Sequence, residues 1–235
     1  MTPRQKLPIG IQNLNEIIRE GYYYVDKTPY AWQLIDQGKY YFLSRPRRFG
    51  KSLFLDTLKE LFEGNEPLFQ GLFIHDHWDW SRKHPVIRLS FGDGVVHSRA
   101  ELDQRIRHML DASRARLQIT GARASDIAGE FSDLIRLAHQ QHGERVVVLI
   151  DEYDKPILDN LTDPPAAEAL RDGLKNLYSV LKDADPHLRF CLLTGVSKFS
   201  KVSLFSGLNN LRDITLSDEY SALCGYTDRD IDTTF

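Results

Sequence analysis

Three short stretches carry residue types whose spacing could do chemistry: Gly50-Lys51-Ser52, Asp151-Glu152 and Thr194-Gly195. Backbone N–H groups at a helix start are unpaired, and the helix dipole favours an anion there. Gly50 would let the backbone approach a phosphate closely. Lys51 would supply a compact positive charge. The Ser52 hydroxyl can ligate the Mg²⁺ that travels with a nucleotide. Arg47, Arg48, Phe49 and Leu53 complete this candidate phosphate-binding loop, and the two arginines either touch phosphate or form a solvated basic turn. About a hundred residues downstream, Asp151 could hold Mg²⁺ through water, so that Ser52 and Asp151 form the candidate metal set. Glu152 could polarise an attacking water as general base, with Asp154 the next candidate for that role. Thr194 could position that water or sense a terminal phosphate. The alternatives are a chance Gly-Lys-Ser and a polar strand exit at Asp151-Glu152.

These residues need elements to position them. Tyr40–Ser44 is an aromatic and aliphatic run of strand type. Beyond the basic turn, Leu53, Phe54, Leu58, Leu61 and Phe62 fall at helical spacing. Strand, turn, Gly-Lys-Ser, helix is the context that a phosphate loop requires. The loop departs from the usual pattern in one respect. The position five residues before Gly50 is Arg45 rather than glycine, and Pro46 after it pushes Arg45 toward extended geometry.

Further strands are expected over Pro85–Phe91, Arg145–Glu152 and Arg189–Gly195, with a short last one at Asp213–Leu216. The five consecutive aliphatics from Val146 predict a strand buried on both faces. Helices are expected over Leu14–Arg19, from Thr28 as N-cap with Pro29 to Gln37, Ser98–Gln118, Ser125–His142 and Ala166–Lys182. Tyr22–Asp26 reads as a short strand, Leu68–Ile74 as a return to the sheet edge, Asp163-Pro164-Pro165 as a turn, and Ser203–Asn210 as irregular. Thr227 with Asp230 reads as a capping box that starts a helix. Parallel-type strands alternating with helices predict an α/β fold with a doubly wound, mostly parallel sheet whose ligands sit at the carboxyl ends of the strands. This is the layout of P-loop NTPases that place an extra strand between the loop strand and the Asp-Glu strand.

Composition narrows the function classes. The chain has 235 residues and a net charge of −3, which gives no indication of direct nucleic-acid binding. No signal peptide is visible at the start and no apolar run is long enough for a membrane span, so a cytoplasmic protein is the expectation. Cys191 and Cys224 have no CxxC spacing and read as thiols. His75, Asp76, His77 and Asp79 could ligate a metal, but a surface turn is the expected outcome.

The segments Arg45-Pro46-Arg47-Arg48-Phe49-Gly50-Lys51-Ser52, Asp151-Glu152-Tyr153-Asp154-Lys155-Pro156 and Leu193-Thr194-Gly195 together resemble the AAA-ATPase-like family of bacterial proteins. Tyr24–Thr28 and Leu223–Thr227 resemble further segments of that family, so the likeness covers nearly the whole chain. It implies an ATP-binding core with Walker A and Walker B elements, ATP and Mg²⁺ as ligands, and hydrolysis or a nucleotide-gated regulatory role with little hydrolysis. It also implies a possible protein partner or a downstream nuclease-like domain, as in longer members, which carry a lid and such a domain after this point. The expected division is a lead-in over residues 1–38 packed on a core over 39–235, with the lid and the further domain missing. Arg212 is the nearest arginine for a role in trans.

Overall fold

The computed structural model describes residues 5–198, 204–205, 208 and 210–234. The elements in chain order are α1 (Leu14–Arg19), α2 (Thr28–Gln37), β1 (Tyr40–Ser44), α3 (Lys51–Phe62), β2 (Val86–Ser90), α4 (Arg99–Arg116) and α5 (Ile127–His142). Then follow β3 (Val146–Asp151), α6 (Lys155–Leu158), α7 (Pro164–Asp183), β4 (Leu188–Gly195), β5 (Arg212–Asp213) and α8 (Asp228–Thr234). The five strands form one sheet in the order β2-β3-β4-β1-β5, and every pairing is parallel. β4, late in sequence, lies between the loop strand β1 and the Asp-Glu strand β3, so the extra-strand arrangement is present.

Alternation along the strands sends side chains to two cores. Tyr40 and Phe42 of β1, Val146, Val148 and Ile150 of β3, and Cys191 and Leu193 of β4 pack with α4, α5 and α7 on one face. Tyr41 and Leu43, Val147 and Leu149, and Phe190 and Leu192 pack with α1, α2 and α3 on the other. β1 and β3 are buried along their whole length. This is the double coverage that parallel strands need. At roughly 1.5–3 kcal/mol for each large side chain removed from water, these strands fix the register of everything attached to them. That register aligns Ser44 with Gly195 and Ser90 with Asp151, so the carboxyl ends form a single edge.

Helix starts follow local chemistry. Asn13, Ser98, Asp126 and Asp163 each cap a helix through a side-chain oxygen. Gly143 ends α5 in the left-handed conformation. The Thr227–Asp230 capping box forms in both directions, at 2.8 Å and 3.1 Å.

Five local expectations differ, one being the last strand, which covers Arg212–Asp213 and not Asp213–Leu216 because only Tyr41 and Phe42 of β1 face it. Tyr22–Asp26 is irregular rather than a strand, because β5 pairs with the outer side of β1. Its residues tie to other elements instead: Tyr24 shares a hydrogen bond with Thr57 and Asp26 accepts from the Thr28 and Phe73 N–H groups. Thr28 is therefore the first residue of α2 and not its cap, and its hydroxyl accepts from the Ile74 N–H. Leu68–Ile74 makes two 3-10 turns whose Leu68, Phe69 and Ile74 fill the second core. Pro164 and Pro165 open α7, since proline lacks only an N–H that a first turn leaves unpaired. The irregular segment expected over Ser203–Asn210 lies largely outside the described residues.

Asp56 of α3 joins three elements: it accepts from the Leu14 N–H at 2.8 Å and from Arg88 of β2 at 2.9 Å, and it is 4% exposed. Asp56→Ala leaves a partly exposed guanidinium and a buried helix-start N–H without this partner. Urea unfolding of this variant is expected to show a loss of about 3 kcal/mol. A loss near zero would mean that solvent satisfies both donors.

Candidate functional site

The loop between β1 and α3 begins as a continuation of the strand. The Arg45 N–H donates to the Gly195 carbonyl at 3.2 Å, the extended geometry that Pro46 favours. The Arg45 guanidinium turns away from the loop mouth. It donates to the carbonyls of Ser44 at 3.2 Å, Tyr220 at 3.3 Å and Thr215. Ser44 N–H in turn donates to the Thr215 hydroxyl at 3.0 Å. The arginine that replaces the first glycine is thus a tie between the loop and the segment after β5.

Pro46, Arg47, Arg48, Phe49 and Gly50 are exposed. The chain turns into α3 through two left-handed residues, Arg48 at φ 62° and Gly50 at φ 88°. No side chain caps α3. The first N–H groups of this twelve-residue helix, those of Lys51, Ser52 and Leu53, therefore keep the partial positive charge of a helix start. Lys51 is 6% exposed, and its ammonium crosses the loop to the carbonyls of Arg45 and Pro46, both at 2.9 Å. Burial pulls its pKa below the ordinary lysine value, against the opposing pull of Asp151, Cys224, Glu152 and Asp154.

Asp151 ends β3 at 2% exposure, and the Thr194 hydroxyl of β4 donates to its Oδ1 at 2.6 Å. Glu152 follows in the left-handed conformation at φ 52°. Arg48, Gln118 and Glu152 are the non-glycine residues with positive φ among the described ones, and two of them lie at this edge. Such a conformation costs on the order of 1 kcal/mol or more for a side chain like glutamate. Burial pushes the Glu152 carboxyl above the usual range, the Asp151 charge adds to that, and Lys155, Lys51 and Arg47 oppose it. The Glu152 carboxyl group lies about one van der Waals contact, 3.7 Å, from where a side chain on Gly92 would begin.

The structure therefore brings Lys51, Asp151, Glu152 and Thr194 to one edge, with Ser52 and Leu53 at the helix start beside them. Asp154 is not placed as a base. It is wholly buried and accepts from the Val196 and Ser197 N–H groups, the shorter bond being 2.7 Å. Arg212 lies opposite Tyr41, near the amino end of β1, and pairs with Glu219 at 3.0 Å and Gln37 at 3.3 Å. It lies away from this chain's own loop edge and takes no part in that site; the expected role in trans concerns the nucleotide of a second copy. His75 pairs with Asp76 and Glu66, while His77 bonds to the Phe73 carbonyl, all on a surface 3-10 turn. Among the described residues no three His, Cys, Asp or Glu side chains are grouped to hold a metal, and no helix is long and apolar enough to cross a membrane.

One part of this edge, within the Leu223–Thr227 stretch, carried no site role in the sequence. Gly225, at φ 78°, lies under the Phe49 ring, and a Cβ there would come within 2.9 Å of it. The Leu223–Tyr226 segment thus packs on the phosphate loop. Family likeness marked this stretch, but nothing local to it announces that it meets Phe49.

Comparison with known proteins agrees with this architecture. A family model described as "Predicted AAA-ATPase" matches residues 8–205. The chain is 64% identical over 234 residues to an "Uncharacterized protein in vnfD 5'region" of Azotobacter chroococcum mcd 1. That match takes in 99% of this chain and 45% of the relative, so the chain spans less than half of the relative's length. No solved structure matches. With the family profile covering most of its residues, including the loop, the Asp-Glu strand and β4, the chain belongs to the AAA-ATPase-like family, which is described as predicted AAA-ATPases.

Proposed function

We propose that the chain binds ATP with Mg²⁺ at the carboxyl edge of the sheet and hydrolyses it. The observation that carries this reading is the buried Lys51 at an uncapped helix start, with the Asp151 and Glu152 charges acting on it. A buried ammonium that donates to two loop carbonyls is poised to exchange them for phosphate oxygens. The N–H groups of Lys51, Ser52 and Leu53 suit the same anion. Arg47 and Arg48, exposed at the turn, add positive charge at the mouth.

Mg²⁺ takes hard oxygen ligands, and the Ser52 hydroxyl with the Asp151 carboxylate is a donor set of that kind. When bound it would neutralise charge on the phosphates. Thr194 occupies one oxygen of Asp151 and leaves the other for this purpose. In hydrolysis, Glu152 takes a proton from the attacking water. The water oxygen bonds to the γ-phosphorus as the bond to the ADP oxygen breaks, giving ADP and phosphate. A carboxyl held above its usual acidity range is the better base near neutral pH.

The second reading is a nucleotide-gated module with little turnover that controls a protein partner or an attached nuclease-like domain. The exposure of Arg47–Gly50 favours it, because a loop open to water stabilises a transition state less than a closed one. The two readings share the same binding residues and differ in turnover.

Lys51→Ala is expected to weaken ATP binding about tenfold or more, with a melting temperature close to that of the parent, since the side chain serves the ligand and not a core. Calorimetric titration checks this, and unchanged affinity removes Lys51 from the site. Glu152→Gln is expected to bind ATP normally while phosphate release falls by roughly 10²–10⁴. In the parent, kcat/KM is expected to fall on the acid side at a pH above the ordinary carboxylate value of about 4.3, because Glu152 must be ionised to act and its acidity is weakened. That limb should vanish in Glu152→Gln. Turnover that survives the substitution would favour another base, and no turnover in the parent would favour the gated module.

A further inference from the structure

The turn after β3 and the segment after β4 are built as one clamp. Asp154, with no exposed surface, accepts from the N–H groups of Val196 and Ser197. The Tyr153 N–H donates to the Thr194 carbonyl at 3.0 Å, and the Tyr153 hydroxyl donates to the Ser197 carbonyl at 2.8 Å. Gly195 sits between them. A Cβ there would come within 2.7 Å of the Asp154 carboxylate and closer still to the Tyr153 ring. From the clamp, polar links lead on around the edge. Lys198 pairs with Asp213 of β5 at 3.4 Å, and Asp213 accepts from the Thr215 N–H at 2.9 Å. Thr215 then meets Ser44 and Arg45, whose N–H returns to Gly195. The circuit runs from the Asp-Glu turn to the phosphate loop and back.

Glu152 stands inside this circuit, one bond of chain from Tyr153 and two from Asp154, in a left-handed conformation that it would not hold alone. We propose that Asp154 is a positioning residue: by holding the amides of Val196 and Ser197 it fixes the Glu152 turn against the end of β4, and so sets where the Glu152 carboxylate meets the water that attacks ATP. This rests on the ATPase reading above. A carboxylate accepting two N–H groups is a stronger anchor than a neutral acceptor. A buried one has little freedom to move without breaking both bonds. Displacing a catalytic group by about 1 Å can cost on the order of a hundredfold in rate while leaving substrate binding elsewhere intact.

The test compares Asp154→Asn, Asp154→Ala and Gly195→Ala with the parent. Affinity for a fluorescent ATP analogue with Mg²⁺, turnover per bound nucleotide and melting temperature are measured on each. Asp154→Asn keeps the shape and leaves an oxygen that can take both N–H groups as Oδ2 does, but it removes the charge and sets an amide NH2 where Oδ1 meets the Val196 N–H, so the anchor is weakened. The expected result is affinity within about threefold of the parent in every variant, with turnover lowered about tenfold in Asp154→Asn and about a hundredfold in Asp154→Ala. Gly195→Ala, which alters no charged group, is expected to fall with them. Unchanged turnover per bound nucleotide in Asp154→Asn overturns the proposal, as does a loss of affinity in step with turnover, which is the sign of a purely structural role. A variant that fails to fold leaves Asp154→Asn to decide. If the parent binds ATP without hydrolysing it, the hydrolysis reading fails by itself. The clamp is then read from amide hydrogen exchange at Val196 and Ser197, expected to slow when ATP binds the parent and not when it binds Asp154→Asn. Exchange that ATP leaves unchanged in the parent overturns the coupling.

Discussion

A strand buried on both faces can carry no charge along its length, and this constraint shapes the whole molecule. β1, β3 and β4 are covered by helices above and below, so their middles are apolar, and the charge in them sits near an end, as Arg189 does at the entry of β4. Carboxylates and the lysine can appear only at the exits. Parallel pairing then brings the exits of all three strands to the same edge. Lys51, Asp151 and Thr194 meet there because a parallel sheet has nowhere else to put them. The order β3-β4-β1 sets the spacing: β4 is wedged between the loop strand and the acidic strand, and contributes Thr194 to the carboxylate and the Gly195 carbonyl to the loop.

Buried polar groups at this edge are almost all matched. Asp151 has the Thr194 hydroxyl, Asp154 has two amides, Arg45 has three carbonyls, and Lys51 has two. Leaving such groups unpaired would cost about 1–3 kcal/mol each. The left-handed backbone at Arg48 and Glu152 is held against strain by this surrounding network. The contrast between Lys51 and Arg45 is instructive. Both cations contact main-chain carbonyls, but those of Arg45 belong partly to a segment 170 residues and more away, while those of Lys51 belong to its own loop. One arrangement fastens elements together and the other leaves a charge that a ligand can take over.

What the sequence made legible follows from how local each signal is. The bounds of β1 and of α1 could be read outright, and the run of aliphatics at β3 announced a doubly buried strand. The residue types of the candidate site and their order along the strands were also readable, because a Gly-Lys-Ser and an Asp-Glu pair at strand exits are local patterns. Tyr22–Asp26 misled because β-propensity says nothing about whether a neighbouring strand is available. Pro164-Pro165 looked like a turn because proline marks both a turn and the first turn of a helix. The Arg45 tie, the Asp154 clamp and the Phe49–Gly225 contact depend on partners tens to hundreds of residues away, and no pattern in one segment announces them. The left-handed turn of Glu152 was equally hidden, since it is imposed by those same partners.

The strand order has a consequence for how the chain is made. β1 pairs only with β4 and β5, the last two strands to leave the ribosome. During synthesis its run of Tyr40, Tyr41, Phe42 and Leu43 waits through almost 150 residues of later chain before a partner strand exists. Contacts of such long range are slow to form, and apolar strands that wait are prone to pair with the wrong chain. This topology favours assembly from the middle outward, with the β2-β3 pair and its helices ahead of the phosphate loop. A ribosome-bound intermediate that has not yet emitted β4 has its Gly-Lys-Ser but no edge to hold it, and this makes the window between β3 and β4 the stage at which a chaperone would matter most.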